Sequence, residues 1–63
     1  MKPEDIRALR KARHHSAREA AEIVGVHLRT WQRWELGEVP PDLARIELYL
    51  FKAPLTDADR RGA

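Results

Sequence analysis

Arg29 and Arg33 are the two residues of this sequence with the clearest chemical capacity. They are four positions apart, so they project from one face if the segment is helical. An arginine guanidinium donates two parallel hydrogen bonds to O6 and N7 of guanine, and Gln32 could read adenine in a similar way. The pattern points to recognition of DNA base edges, while phosphate contact or solvent exposure stays open for both arginines.

The two residues before Arg29 extend this candidate base-reading set. Leu28 could contact the methyl group of thymine. His27 could contact a phosphate or a base, or merely occupy the turn before the helix. The candidate base contacts are therefore His27, Leu28, Arg29, Gln32 and Arg33.

A second set of candidates surrounds a predicted helix start. Ser16 and Glu19 have the spacing of a capping box, with serine at the N-cap and glutamate three residues later. Free backbone N–H groups and the helix dipole make such a start attractive to phosphate. The candidate phosphate contacts are Arg13, His14, Ser16 and Arg18. For Arg13 and Arg18, the alternative is an ordinary solvated charge.

Catalytic and metal chemistry has little support in the residues. Adjacent histidines such as His14 and His15 cannot easily face one ion, and the chain has no cysteine. Ser16 is better used as a cap than as a nucleophile, and no glycine-rich phosphate loop exists. We expect no enzyme activity, no metal, no other cofactor and no small-molecule substrate.

Composition limits the chain to a small folded module. It has 63 residues, of which 43% are hydrophobic and 35% charged, which suits one thin-cored domain. The absence of cysteine excludes disulfides. We expect no signal peptide and no membrane-spanning segment, and therefore a cytoplasmic location in a bacterial or phage-infected cell.

Charge is distributed unevenly along the chain. Residues 1–33 carry eight basic and four acidic residues, a net charge of +4, whereas residues 34–63 carry four and six, a net charge of −2. Nine of the twelve basic residues are arginine, which binds phosphate and guanine bidentately. The asymmetry points to a polyanionic partner for the first half, with a solvated basic face as the alternative.

Helix signals in the first half predict two helices. The first begins at Pro3 and runs to about Arg13, because proline suits the first helical position. The second is short, since only about eight residues fit between the Ser16 cap and Gly25, a glycine placed to end the helix in the left-handed conformation.

Two further helices are predicted in the second half. One runs from about Leu28 to Leu36 and ends at Gly37, and the other runs from Pro41-Asp42 to about Lys52. In the last helix the spacing places Leu43, Ile46 and Leu50 on one face. Residues 1–55 form the predicted domain, and residues 56–63 a short C-terminal turn or frayed tail.

The second and third helices have the features of a helix-turn-helix. Small alanines at 20 and 21 permit a steep helix crossing, Gly25 supplies the positive φ of the turn, and Val26 fills its corner. Trp31 and Trp34 would form the buried edge of the third helix. A helical hairpin without DNA binding is the structural alternative.

These residues also carry a resemblance. The stretch 16–41, SAREAAEIVGVHLRTWQRWELGEVPP, resembles the helix-turn-helix of the phage Cro and lambda-repressor-like (XRE-type) DNA-binding family. The matching marks are Ala21, Gly25, Val26, Trp31, the run Trp34 to Gly37 and a proline that begins the next helix. The segment TWQRWELG is similar to small regulators encoded beside phage anti-CRISPR genes. The resemblance covers about residues 4–53.

The resemblance implies five short helices, with the third in the major groove and a homodimer on an inverted repeat. It also implies an architectural ion pair between Arg10 in the first helix and Glu35 in the third. Ala17 departs from the family, where glutamine is common, and a side-chain phosphate contact is lost there. Glu38 would repel phosphate from the following loop.

Apolar residues near the end of the chain predict a dimer interface. They exceed what a monomer of this size can easily bury, with ordinary core packing as the alternative. The candidates are Leu48, Tyr49, Phe51 and Leu55.

The sequence therefore predicts an all-α helix-turn-helix regulator of transcription that binds double-stranded DNA. It would be a homodimeric autorepressor of a phage, plasmid or mobile-element operon. With no room for an effector domain, it would repress by steric overlap with a promoter. The alternative is a protein–protein interaction module, such as an antitoxin or an inhibitor, with weak or no DNA binding.

Overall fold

The computed structural model describes residues 1–56, which form four α-helices joined by short turns. The helices are α1 (Pro3–Ala12), α2 (Ala17–Val24), α3 (Leu28–Leu36) and α4 (Leu43–Lys52). This confirms the all-α fold, and residues 1–56 contain no strand. Apart from Thr56, the predicted C-terminal turn or frayed tail lies outside the described residues. None of the helices within 1–56 has the length and apolar character needed to traverse a lipid bilayer.

Local capping signals set the ends of α1 and α2. Pro3 occupies the first turn of α1, which ends at Ala12, one residue before the predicted end. His14 then turns the chain with a left-handed φ of 58°. At the start of α2, Ser16 Oγ accepts from the Glu19 N–H at 3.1 Å, and Glu19 Oε1 accepts from the Ser16 N–H at 2.9 Å. This reciprocal pair is the predicted capping box.

Two glycines end α2 and α3. Gly25 has a φ of 71°, and Gly37 has a φ of 76°, so both occupy the left-handed region that favours glycine. A Cβ atom at Gly37 would also lie 3.0 Å from Cγ of Pro3. Gly37 is therefore favoured by its backbone conformation, and a side chain there would also crowd Pro3 of α1.

The core lies where all four helices meet. α2 packs against α3 and α4, and α1 packs against α3. Trp31 is completely buried, with its ring centroid 5.6 Å from that of Trp34 and 5.2 Å from that of Tyr49. The buried apolar residues are Ile6, Ala20, Ala21, Val24, Trp31, Trp34, Ile46 and Tyr49.

The buried face of α4 differs from the predicted one. Ile46 and Tyr49 are buried, whereas Leu43 is 58% exposed. The helix is rotated in this way because Tyr49 packs edge-on against Trp31 in the centre of the core. The proline that was expected to begin α4 lies before it, because Asp42 caps the helix by accepting from the Ala44 N–H at 3.0 Å.

Candidate nucleic-acid interface

α3 separates its residues into a buried edge and an exposed face. Trp31 and Trp34 anchor the helix in the core, so the side chains of Arg29, Gln32 and Arg33 lie exposed on the opposite side. These three residues line one shallow groove of about 200 Å³. The structure therefore brings together the three candidates best suited to hydrogen bonding with base edges.

The two candidates at the start of α3 have different surroundings. His27 is the N-cap, and its Nδ1 accepts from the Arg29 N–H at 3.1 Å. The imidazole takes the role that a Ser or Thr side chain plays at many helix starts, and the residue is exposed. Leu28 is half-buried. Contact of either side chain with a base stays a prediction.

The start of α2 presents both donors and a negative charge. Ser16 and Arg18 are exposed, and within residues 1–56 the N–H groups of Ala17 and Arg18 have no acceptor, as expected for a first helical turn. Hydrogen bonds from Ser16 lower the pKa of Glu19, so its carboxylate is charged at neutral pH. A phosphate would therefore have to approach the side of this helix start that faces away from Glu19.

Arg13 is not available to phosphate, which corrects the prediction. Its side chain is only 9% exposed and donates from Nε to the Ala53 carbonyl and from Nη1 to the Leu9 carbonyl at 2.8 Å. The guanidinium also lies 5.5 Å from the ring centroid of Tyr49. Arg13 therefore binds the C-terminal ends of α1 and α4 to each other. His14 is exposed in the turn and stays a candidate.

The structure contains the ion pair between Arg10 and Glu35. Arg10 Nε lies 2.7 Å from Glu35 Oε2, and Nη2 lies 3.0 Å from Oε1, which is a bidentate geometry. Trp31 Nε1 donates to the same Oε2 atom, and Arg10 Nη1 donates to the His15 carbonyl at 3.0 Å. The pair therefore joins α1, the turn after it and α3.

Electrostatics favours the charged forms of both partners. Burial by itself would raise the pKa of Glu35, but hydrogen bonds from Arg10 and Trp31 outweigh burial and lower it. The hydrogen bond to Glu35 raises the pKa of Arg10. The network is thus a charged, fully paired contact that fixes α3 against α1.

The predicted dimer residues divide into buried and exposed ones. Tyr49 is completely buried within the monomer, so its assignment to a dimer surface is wrong. Leu48 is half-buried and packs against the core. Phe51 is 83% exposed and Leu55 is also exposed, so these two remain candidates.

His15 and two basic residues make contacts that sequence analysis did not identify. His15 Nδ1 lies 2.8 Å from the Tyr49 hydroxyl, and burial raises the pKa of Tyr49 despite the nearby positive charges of Arg13 and Arg10. Arg45 and Lys52 donate to carbonyls at the end of α2. No local pattern marks these pairs, because their members lie 21 or more positions apart.

Across residues 1–56, no three His, Asp or Glu side chains cluster as a metal site would require.

Comparison with known families supports the motif that the geometry displays. A family model described as a helix-turn-helix domain matches residues 4–61, which is nearly the whole chain. No curated protein and no solved structure matches the chain. The match includes α2, the Gly25 turn and α3, the elements that form the motif in the structure. The chain therefore belongs to the helix-turn-helix domain family.

Proposed function

We propose that this protein is a transcriptional regulator that binds double-stranded DNA with α3 in the major groove. The observation that carries the proposal is the exposed row of Arg29, Gln32 and Arg33 on the second helix of a helix-turn-helix. In this motif the second helix enters the major groove and its side chains contact base edges. Arg29 and Arg33 would contact guanine, and Gln32 adenine. His27 and Leu28 would contact bases near the start of the helix.

Phosphate contacts in this proposal come from the start of α2 and the turn before it. His14, Ser16 and Arg18 are exposed there, and the free N–H groups of Ala17 and Arg18 point out of the first turn. Such contacts position the protein on the duplex without reading its sequence. Arg13 has no part in them, because it is buried and its Nε and Nη1 donate to carbonyls within the fold.

A homodimer on an inverted repeat is the proposed binding form. Phe51 and Leu55 offer exposed apolar surface at the end of α4, and a module this small gains stability from a second copy. Two half-sites would lie with their centres about one helical turn, roughly 34 Å, apart. Repression of a phage, plasmid or mobile-element operon by steric overlap with its promoter is what the family resemblance suggests.

Replacing Arg33 with alanine should cost about 1–3 kcal/mol of binding free energy on the preferred site and relax base preference at one position. The reason is loss of a bidentate contact with a base edge, while the fold is unaffected because Arg33 is exposed. Selection of bound sequences from random duplexes, followed by titration of the selected duplex, measures both effects. Arg18→Ala is the matched control, because loss of a phosphate contact should weaken all sequences alike.

If both variants bind the selected duplex like the wild type, α3 is not the helix that contacts the bases.

A second candidate function is a protein–protein interaction module. The salt dependence of binding distinguishes it from a DNA-binding protein. DNA binding through several phosphates should weaken steeply as salt rises, whereas binding of a protein partner through an apolar surface should not.

Replacing Phe51 with glutamate should convert the dimer to a monomer, because the charged side chain would be buried between two copies. Light scattering at micromolar concentration measures the molar mass. Leu36→Glu is the control, since Leu36 is 72% exposed on α3, away from the proposed dimer surface. This substitution should leave the molar mass equal to that of the wild type. A wild-type protein that is monomeric under these conditions contradicts the proposed dimer.

A further inference from the structure

A second groove, of about 470 Å³, lies between α1 and α3 on the side of α3 that faces the start of α2. It shares Gln32 with the groove that Arg29, Gln32 and Arg33 line on the exposed face of α3, so the two surfaces are continuous. Its lining residues are Arg7, Arg10, Ala17, Gln32, Glu35 and Leu36.

The charges in this groove do not cancel. Arg10 and Glu35 are paired with each other in a bidentate contact. Arg7 is exposed and, within residues 1–56, forms no ion pair with a carboxylate. Arg7 lines the groove together with Glu35, and its positive charge makes a minor contribution to lowering the pKa of Glu35. One unneutralised arginine therefore remains at the wall of the groove.

We propose that this groove receives a phosphate of the DNA backbone and that Arg7 holds it. The proposal rests on the proposed function, in which α3 lies in the major groove. A helix in that groove has a sugar–phosphate backbone on each side of it. With Gln32 facing the bases, a strand that passes on the α1 side would cross the groove that Arg7 and Gln32 both line.

The composition of the groove suits a nucleotide backbone. The guanidinium of Arg7 can contact a phosphate bidentately, in a geometry that lysine cannot reproduce. Ala17 and the exposed Leu36 supply apolar surface against which a deoxyribose can pack. Arg7 is thus a positioning residue that fixes the register of α3 on the duplex.

The test measures the salt dependence of binding to the duplex selected by the wild-type protein. Arg7→Ala should reduce the slope of log K against log salt by about 1, and should weaken specific and non-specific duplexes by the same factor. Lys52→Ala is the control, because it also removes one positive charge. Lys52 ends α4 and donates to the Ile23 carbonyl near the C-terminal end of α2, whereas Ala17, at the N-terminal end of α2, lines the groove. The slope of Lys52→Ala should equal that of the wild type. Thermal unfolding followed by circular dichroism establishes that both variants fold.

A second measurement locates the contact on the DNA. Duplexes in which single phosphates are replaced by neutral methylphosphonates should each be titrated with the wild type and with Arg7→Ala. One position near the half-site should weaken the wild type and leave Arg7→Ala unaffected, because the two changes remove the same contact.

The outcomes separate the inference from the function on which it rests. A wild-type slope in Arg7→Ala, or equal sensitivity of both proteins at every methylphosphonate, overturns the inference and leaves DNA binding intact. A change of base preference in Arg7→Ala also overturns it, since the residue would then read a base. If the wild type itself binds no duplex, the proposed function and the inference fail together.

Discussion

Replacing Trp31 with alanine should destabilise the fold by about 3–5 kcal/mol, the usual cost of truncating a fully buried tryptophan. A chain of this size has a free energy of unfolding of only about 3–9 kcal/mol. Trp31 contacts both Trp34 and Tyr49, so its loss opens the junction of α3 and α4. Urea denaturation followed by circular dichroism should therefore show a variant that is largely unfolded in buffer or unfolds at very low urea.

Trp31→Phe separates packing from hydrogen bonding at the same position. It keeps an aromatic ring in the core but removes the indole N–H that donates to Glu35. We expect it to remain folded and to lose clearly less stability than Trp31→Ala. An alanine variant within about 1 kcal/mol of the wild type would contradict the central place of Trp31 in the core.

Replacing Glu35 with alanine has the second largest expected effect, a loss of about 2–3 kcal/mol. The substitution removes the acceptor of Arg10 Nε, Arg10 Nη2 and Trp31 Nε1, and so leaves three largely buried donor nitrogens unpaired. Because this network fixes α3 against α1, affinity for a selected duplex should also fall. Denaturant titration and DNA titration of the same protein measure the two effects. Glu38→Ala, which removes an exposed carboxylate three residues later, should change stability by less than about 0.5 kcal/mol.

The same carboxylate makes stability depend on pH in the acid range. In the folded protein the pKa of Glu35 lies below its ordinary value of 4.5. The unfolded chain therefore takes up this proton more readily, and the contribution of Glu35 is fully present above about pH 4.5. It is lost as the pH falls through the folded value. Glu35→Gln should accordingly lose less stability than the wild type on acidification, and an identical acid response would exclude this role.

Features set by a few neighbouring residues were predictable from the sequence. The Ser16 capping box and the glycines at 25 and 37 gave the ends of α2 and α3, because each signal acts within one helical turn. The exposed arginines of α3 followed from the same logic, since burial of Trp31 and Trp34 leaves the opposite face outward. For these elements, local chemistry and tertiary packing agree.

Features that depend on distant partners were not predictable. Arg13 resembles any surface arginine until its contact with Ala53, 40 positions away, is known. Tyr49 was assigned to the surface because nothing near it in sequence reveals His15, 34 positions earlier. The buried face of α4 differs from the predicted one for the same reason, since hydrophobicity alone favours Leu43 over Tyr49 as a core residue. Only the packing of α4 on the other helices decides between them.

The shortness of the helices has a consequence for how the protein exists in solution. Each of the four helices contains only 8–10 residues. Isolated helices below about 12–15 residues are marginal in water, so none of these four can persist once the core has opened. Secondary and tertiary structure are therefore one thermodynamic event in this chain. α3 is therefore not a helix that forms independently of the rest of the chain. It is present only in molecules whose core has folded.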